Sequence, residues 1–172
     1  METVPGGDSR TLFGGGPRLP RMDELDSAIV RELQQDARQT NRALAHKLGV
    51  APSTCLERVR LLHQRGVIRG YHADIDPAAL NRRVEAFVSV ELRPPSRRAI
   101  EGFKTAMFAL PEVLAVYVVA GEQDFLVHVS VPDLDALHSF LIDRLTERRE
   151  VASFRSQVIY DSARKHVSDP LG

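Results

Sequence analysis

The chain of 172 residues has no tryptophan, one cysteine and no net formal charge. A lone cysteine excludes an intramolecular disulfide, which fits a reduced, intracellular setting. No apolar run approaches the roughly 20 residues that a membrane-spanning helix needs. The N-terminus has no basic segment followed by an apolar stretch, so no secretory signal is expected. The six histidines (His46, His63, His72, His128, His138 and His166) are scattered and form no i, i+4 pair, so neither a metal site nor a cofactor is expected. The triplet "GGG" at 14–16 is not a phosphate loop, because no strand precedes it and no Lys-Ser/Thr follows.

What is present is a hydrophobic content of 43%, enough for one or two small domains with a core of their own. Lys plus Arg and Asp plus Glu number 23 each, a balance that argues against a nucleic-acid binder. Their distribution argues the other way. Between Arg38 and Arg69 there are seven bases (Arg38, Arg42, Lys47, Arg58, Arg60, Arg65, Arg69) against the single acid Glu57, a local charge of +6. From Asp76 onward acids exceed bases. Such segregation fits a basic docking face and equally a solvated surface.

The opening "METVPGGDSRTLFGGGPRLPR", 1–21, is rich in Gly and Pro and has no periodicity; it is expected to be a disordered tail. Met22 is an alternative start. Leu25, Ala28, Ile29 and Leu33 then recur at helical spacing behind Asp23, which stands where an N-cap belongs. This predicts a helix over about 23–36. Thr40 can cap a second helix at 41–48, with Leu44, Ala45 and Leu48 inward and Gly49 closing it. Pro52 suits the first turn of a third helix that reaches Gln64 and stops at Gly66.

Three helices with a tight turn before the last have helix-turn-helix form. On the third helix Cys55, Leu56, Val59 and Leu62 are assigned to the buried stripe. Cys55 among aliphatics reads as a small core hydrophobe and not as a nucleophile, which would need exposure and a partner base. Ser53, Thr54, Glu57, Arg58 and Arg60 are left outside. Hydroxyls at a helix N-terminus suit phosphates and base edges, and arginine suits guanine or phosphate.

After Gly66, "VIRGYHADI" alternates as a strand over 67–75. The remainder reads as strand ("EAFVSVEL"), helix (96–110), strand (113–120), strand (124–131), helix (134–145) and strand (151–160). That βαββαβ order is the ferredoxin-like arrangement. With both helices on one face the sheet's other face needs cover, and a second copy is the simplest cover.

Several motifs in order give the chain a family likeness over about 22–162. "MDELDSAIVRELQQDAR", "LAHKLGVAPSTCLERVRLLHQRGVIRGYHADIDPAAL" and "VAGEQDFLVHV" resemble, in turn, the opening helix, the helix-turn-helix with its linking strand, and the G-x-x-D turn of the leucine-responsive / asparagine-operon (Lrp/AsnC) regulators. The resemblance implies an α+β protein with a winged-type helix-turn-helix domain joined by a linking strand to an amino-acid-sensing ferredoxin-like domain. The division expected is a tail at 1–21, a DNA-binding domain at 22–66, a linking strand and hinge at 67–82, a ligand-binding and oligomerisation domain at 83–162 and a C-terminal tail at 163–172. The resemblance further implies that Val67–Ile75 pairs across a homodimer, that dimers assemble into tetramers or octamers, and that effectors sit near the G-x-x-D turn.

DNA-contact candidates are therefore Arg42, Lys47, Ser53, Thr54, Glu57, Arg58, Arg60, Arg65 and Arg69. Carried over from the resemblance, Gly121 and Asp124 are effector-site candidates, with Ser156 as a hydroxyl and Ala120, Phe125 and Val158 as walls. An ammonium suits Asp124, and turn amides at Gly121 suit a carboxylate. Three positions depart from the pattern. Ala51 stands where a serine cap is usual, Ala43 where a glutamate often completes a capping box, and Leu61 where a polar residue is common.

The function expected is a cytoplasmic transcriptional regulator that binds double-stranded DNA and answers a small effector, with no catalytic residue. Two alternatives remain. One is an enzyme of the same fold acting on haem precursors; the other is an architectural DNA-binding protein without an effector.

Overall fold

The computed structural model describes residues 21–170, so residues 1–20 of the expected tail, with the glycine triplet, lie outside the described residues. The chain divides into two compact units: one comprises residues up to His72 together with those from Arg164 onward, and the other is Ala73–Ala163.

The first unit holds three helices: α1 (Glu24–Gln35), α2 (Asn41–Leu48) and α3 (Pro52–Gln64). Their ends follow from the local chemistry read above. Asp23 caps α1 by accepting from the Asp26 amide at 2.7 Å, and Thr40 caps α2 by accepting from the Ala43 amide at 3.1 Å. Gly49 closes α2 at φ +67, a left-handed conformation that glycine adopts without a Cβ penalty. Pro52 opens α3, where Ala51 gives no side-chain cap and Ser53 does not replace it. Ile29, Leu44, Ala45, Cys55 and Leu62 form the buried core of this unit.

Leu56, assigned above to that core, is 49% exposed. At about 100° per residue, Cys55, Val59 and Leu62 already complete the inward stripe, and Leu56 falls off its edge.

Within a single chain the segment expected as a strand at 67–75 has no strand pairing, and Tyr71 and Ile75 are exposed; the pairing expected for it is with a second copy. A strand exists only by pairing its backbone groups with a neighbour, and among the described residues no strand runs beside this one. The segment is instead pinned at Tyr71, whose hydroxyl lies 3.2 Å from Nε2 of His63 on α3.

Sequence patterning gave no hint that the end of the chain packs on α1. Arg31 reaches Asp169 at 2.8 Å. The Gln34 amide group both donates to the Ser168 carbonyl at 3.0 Å and accepts from the Ser168 amide at 2.9 Å.

The second unit is the expected βαββαβ fold. It contains β1 (Val84–Leu92), α4 (Arg97–Phe108), β2 (Val113–Val118), β3 (Phe125–Val131), α5 (Leu134–Leu141) and β4 (Val151–Val158), with α5 running on as a π-turn over Ile142–Thr146. The sheet is antiparallel in the order β2-β3-β1-β4. One face, with Ala86, Val88, Val90, Phe125, Val127 and Val129, packs on Phe103 and Met107 of α4 and Leu137 and Phe140 of α5. The strand period of two sends Glu85, Phe87, Leu126 and His128 to the opposite face. There the His128 ring stacks on Phe87 at 4.8 Å between centroids, and its Nε2 lies 2.7 Å from Glu85.

Candidate DNA interface and effector recess

The outward face of α3 follows from helical geometry. With Cys55, Val59 and Leu62 inward, Ser53, Glu57, Arg60 and Gln64 fall opposite them, and all four are exposed. Gln64 was missed in the sequence; its i+4 spacing from Arg60 was the available signal. Thr54 is also exposed, at the helix start.

The basic residues sort into two groups. Arg58 donates to Asp23 at 2.5 Å and to Asp26 at 3.1 Å, and Arg65 donates to Asp26 at 3.0 Å. Lys47 reaches Glu32 on α1 at 3.0 Å. Three of the seven bases counted above are thus held by acids of α1, outside the window that was counted. Over residues 22–69 the balance is eight bases against six acids, a charge of +2 instead of +6. Arg42 and Arg60 are exposed and carry no ion pair among the described residues. Arg69 is exposed as well.

Asp26 is the centre of this arrangement. It is only 2% exposed, and it sits one helical turn before the buried Ile29. An acid on a buried helix face requires cationic partners, and Arg58 and Arg65 supply them, joining α1 to the middle and the C-terminal end of α3. An acid near Ile29 in the sequence signals that some cation must meet it, but not which one.

Asp23 is held below its ordinary value of 3.8, first by the Asp26 amide it accepts from and then by the Arg58 guanidinium. A carboxylate with a depressed folded value contributes stability that is complete above its unfolded value and is lost as the pH falls through the folded one. Asp23→Asn keeps a cap but removes the charge. It is therefore expected to be less stable than the wild type at neutral pH, with the difference vanishing in acid below 3.8. Urea unfolding of both proteins across that range checks this. Burial raises the Cys55 thiol, which keeps it protonated and unreactive at neutral pH.

In the second unit, the turn between β2 and β3 borders a recess of about 460 Å³ lined by Glu91, Leu92, Arg93, Pro94, Pro95, Glu122 and Asp124. Asp124 is built into this turn. Its amide donates to the Val90 carbonyl at 3.0 Å, and its Oδ2 accepts from the Leu92 amide at 2.7 Å. Gly121 adopts φ +153 with open space where a Cβ would stand. Glu91 is lowered mainly by the Arg93 guanidinium, at 2.9 Å, and by the Ser153 hydroxyl.

The other effector candidates are placed elsewhere. Phe125 is fully buried against Phe103, with ring centroids 4.7 Å apart, so its ring belongs to the helix-side core. Ser156 and Val158 lie on β4 opposite Val88 and Ala86, several residues along β1 from the Leu92 amide that Asp124 holds. Ala120 is exposed in the turn itself. Among the described residues no cluster of three or more His, Cys, Asp or Glu could hold a metal ion.

Comparison with known proteins covers both units. The AsnC-type helix-turn-helix domain matches residues 22–63, and the Lrp/AsnC ligand binding domain matches residues 85–168. The HTH-type transcriptional regulator AldR of Mycolicibacterium smegmatis is 40% identical over 153 residues, spanning 87% of this chain and 90% of that protein. The leucine-responsive regulatory protein of Escherichia coli K12 is 33% identical over 144 residues, spanning 84% of this chain and 88% of its own. Among solved structures, a transcriptional regulator from Neisseria meningitidis in complex with L-Met superposes with a TM-score of 0.79 at 30% identity, covering 88% of this chain and 97% of the other.

Proposed function

Because the chain belongs to the Lrp/AsnC family of transcriptional regulators, we propose that it reads duplex DNA with the outward stripe of α3 and binds a free amino acid beside the β2–β3 turn. The single observation that carries the DNA reading is the sorting of the arginines. Arg58 and Arg65 are spent on Asp26, whereas Arg60 stands exposed between Glu57 and Gln64. Arg60 is the base-reading side chain in this account, with Ser53, Glu57 and Gln64 beside it. Arg42 and Arg69 are phosphate contacts that add affinity without specificity.

For the effector, the Neisseria relative supports an α-amino acid, since it was captured with L-Met. One Asp124 oxygen is committed to Leu92 and its Oδ1 remains for an ammonium. The exposed turn around Gly121 offers backbone amides to a carboxylate, with no Cβ in the way. The reading is one of binding and not catalysis. The effector acts by favouring one assembly over another, which requires different affinities for the two states. We take the assembling unit to be a homodimer joined through the open sheet face and the 67–75 segments, building tetramers or larger rings. No described helix is long and apolar enough to cross a membrane, and a cytoplasmic setting follows from the DNA reading.

Thermal unfolding of the full chain against each of the twenty amino acids tests the effector reading. A ligand that binds only the folded state raises the midpoint; at a hundred times its dissociation constant it adds about 2.7 kcal/mol. A shift from one or a few amino acids is expected. Asp124→Ala is expected to abolish that shift while the protein still binds DNA. A full set of flat midpoints would remove the recess and favour the effector-free alternative.

A further inference from the structure

Leu56 is the more exposed of two large apolar side chains on the surface of α3, 49% against 40% for Leu61. Every inward position of the helix is filled by Cys55, Val59 and Leu62, yet Leu56 is a large apolar side chain 49% exposed in mid-helix. It lies three residues after Ser53 and four before Arg60, so its side chain borders both on the helix surface. It belongs to the N-terminal half of the helix, the half that meets base edges when such a helix enters the major groove. The major-groove edge of a base pair offers one apolar group, the C5-methyl of thymine, and apolar side chains read it by contact.

We propose that Leu56 is a specificity-determining residue that packs on a thymine C5-methyl next to the base pair read by Arg60, so that the chain selects an A·T pair at that step. This rests on the assignment of α3 as the reading helix. The exposed leucine fits that occupant because its neighbours Ser53, Glu57 and Arg60 are exposed and carry groups able to hydrogen-bond to base edges. A leucine among them is covered only when the helix lies in the groove.

The test uses a duplex recovered by the full-length wild type from a randomised library, and a second duplex of the same sequence with every thymine replaced by deoxyuridine. That replacement removes the methyl groups and leaves every hydrogen-bonding group in place. Wild type is expected to bind the uracil duplex about three- to tenfold more weakly. Leu56→Ala, whose melting midpoint is expected to match the wild type because Leu56 is outside the core, is expected to bind both duplexes equally. Equal binding of both duplexes by wild type overturns the proposal, as does thymine preference retained by Leu56→Ala. A Leu56→Ala variant that changes the assembly's mass but not its thymine preference overturns it too, by assigning the side chain to a contact between copies. Failure of the wild type to recover any duplex overturns the reading helix itself. A recovered duplex that is indifferent to uracil overturns only the role of Leu56.

Discussion

Asp26→Ala is expected to destabilise the helix-turn-helix unit by about 2–3 kcal/mol. The carboxylate is 2% exposed and accepts from two guanidinium groups, Arg58 and Arg65. Removing one member of a buried ion cluster strands its partners. The stranded arginines are partly exposed, with side chains 35% and 24% accessible. Water therefore recovers part of the loss, which places the effect below that of a fully buried pair. For a unit of this size each kcal/mol moves the midpoint by roughly 4–8 °C, so this unit's melting transition is expected to fall by roughly 8–24 °C in calorimetry. Replacing all three members together, Asp26→Leu with Arg58→Met and Arg65→Met, is expected to recover most of the stability, because the one acid left without Arg58, Asp23, is half exposed to water. An Asp26→Ala protein that melts with the wild type would show that the cluster does not hold α1 to α3.

Arg60→Ala is expected to leave the melting midpoint unchanged and to weaken specific DNA binding by about 1–3 kcal/mol, roughly five- to 150-fold. The contrast with Arg58, two residues earlier, is informative. Both are arginines on α3, but Arg58 faces Asp23 and Asp26 while Arg60 faces away from α1 and α2 and carries no ion pair among the described residues. An Arg58→Ala variant is expected to lose stability first and DNA binding as a consequence. Arg60→Ala is expected to lose binding alone. Fluorescence anisotropy at one fixed salt concentration, read beside the melting curve of each variant, separates the two. Fixed salt matters because the phosphate contacts change affinity steeply with ionic strength.

What was legible in the sequence was local. Asp23, Thr40, Gly49 and Pro52 announce helix ends through interactions spanning a few residues, and the structure places all four as read. The alternation of "EAFVSVEL" gives β1 because one face is buried under helices and the other is not. What was not legible was long-range. Asp26 meets Arg58 and Arg65 across 32 and 39 residues, and Gln34 meets Ser168 across 134. A charge count over a short window therefore overstated the basic face. The 67–75 segment has the pattern of a strand, but a pattern does not supply a neighbour, and the described residues of a single chain hold none. Between β2 and β3, Gly121 and Asp124 fell in the turn where the motif put them. Asp124, however, also fastens the turn to β1 through Leu92, a backbone partner that no side-chain pattern announces. Phe125, next to it, points the other way because successive strand residues alternate faces.

The most direct test of the central claim is selection of duplexes from a randomised library by the purified full chain, with Arg60→Ala selected in parallel. The wild type is expected to recover a consensus with two-fold symmetric half-sites spaced by about one helical turn, or a multiple of it, and Arg60→Ala to lose preference at one base pair of each half-site. Recovery of no consensus, or of the same consensus at the same strength by both proteins, would contradict that claim.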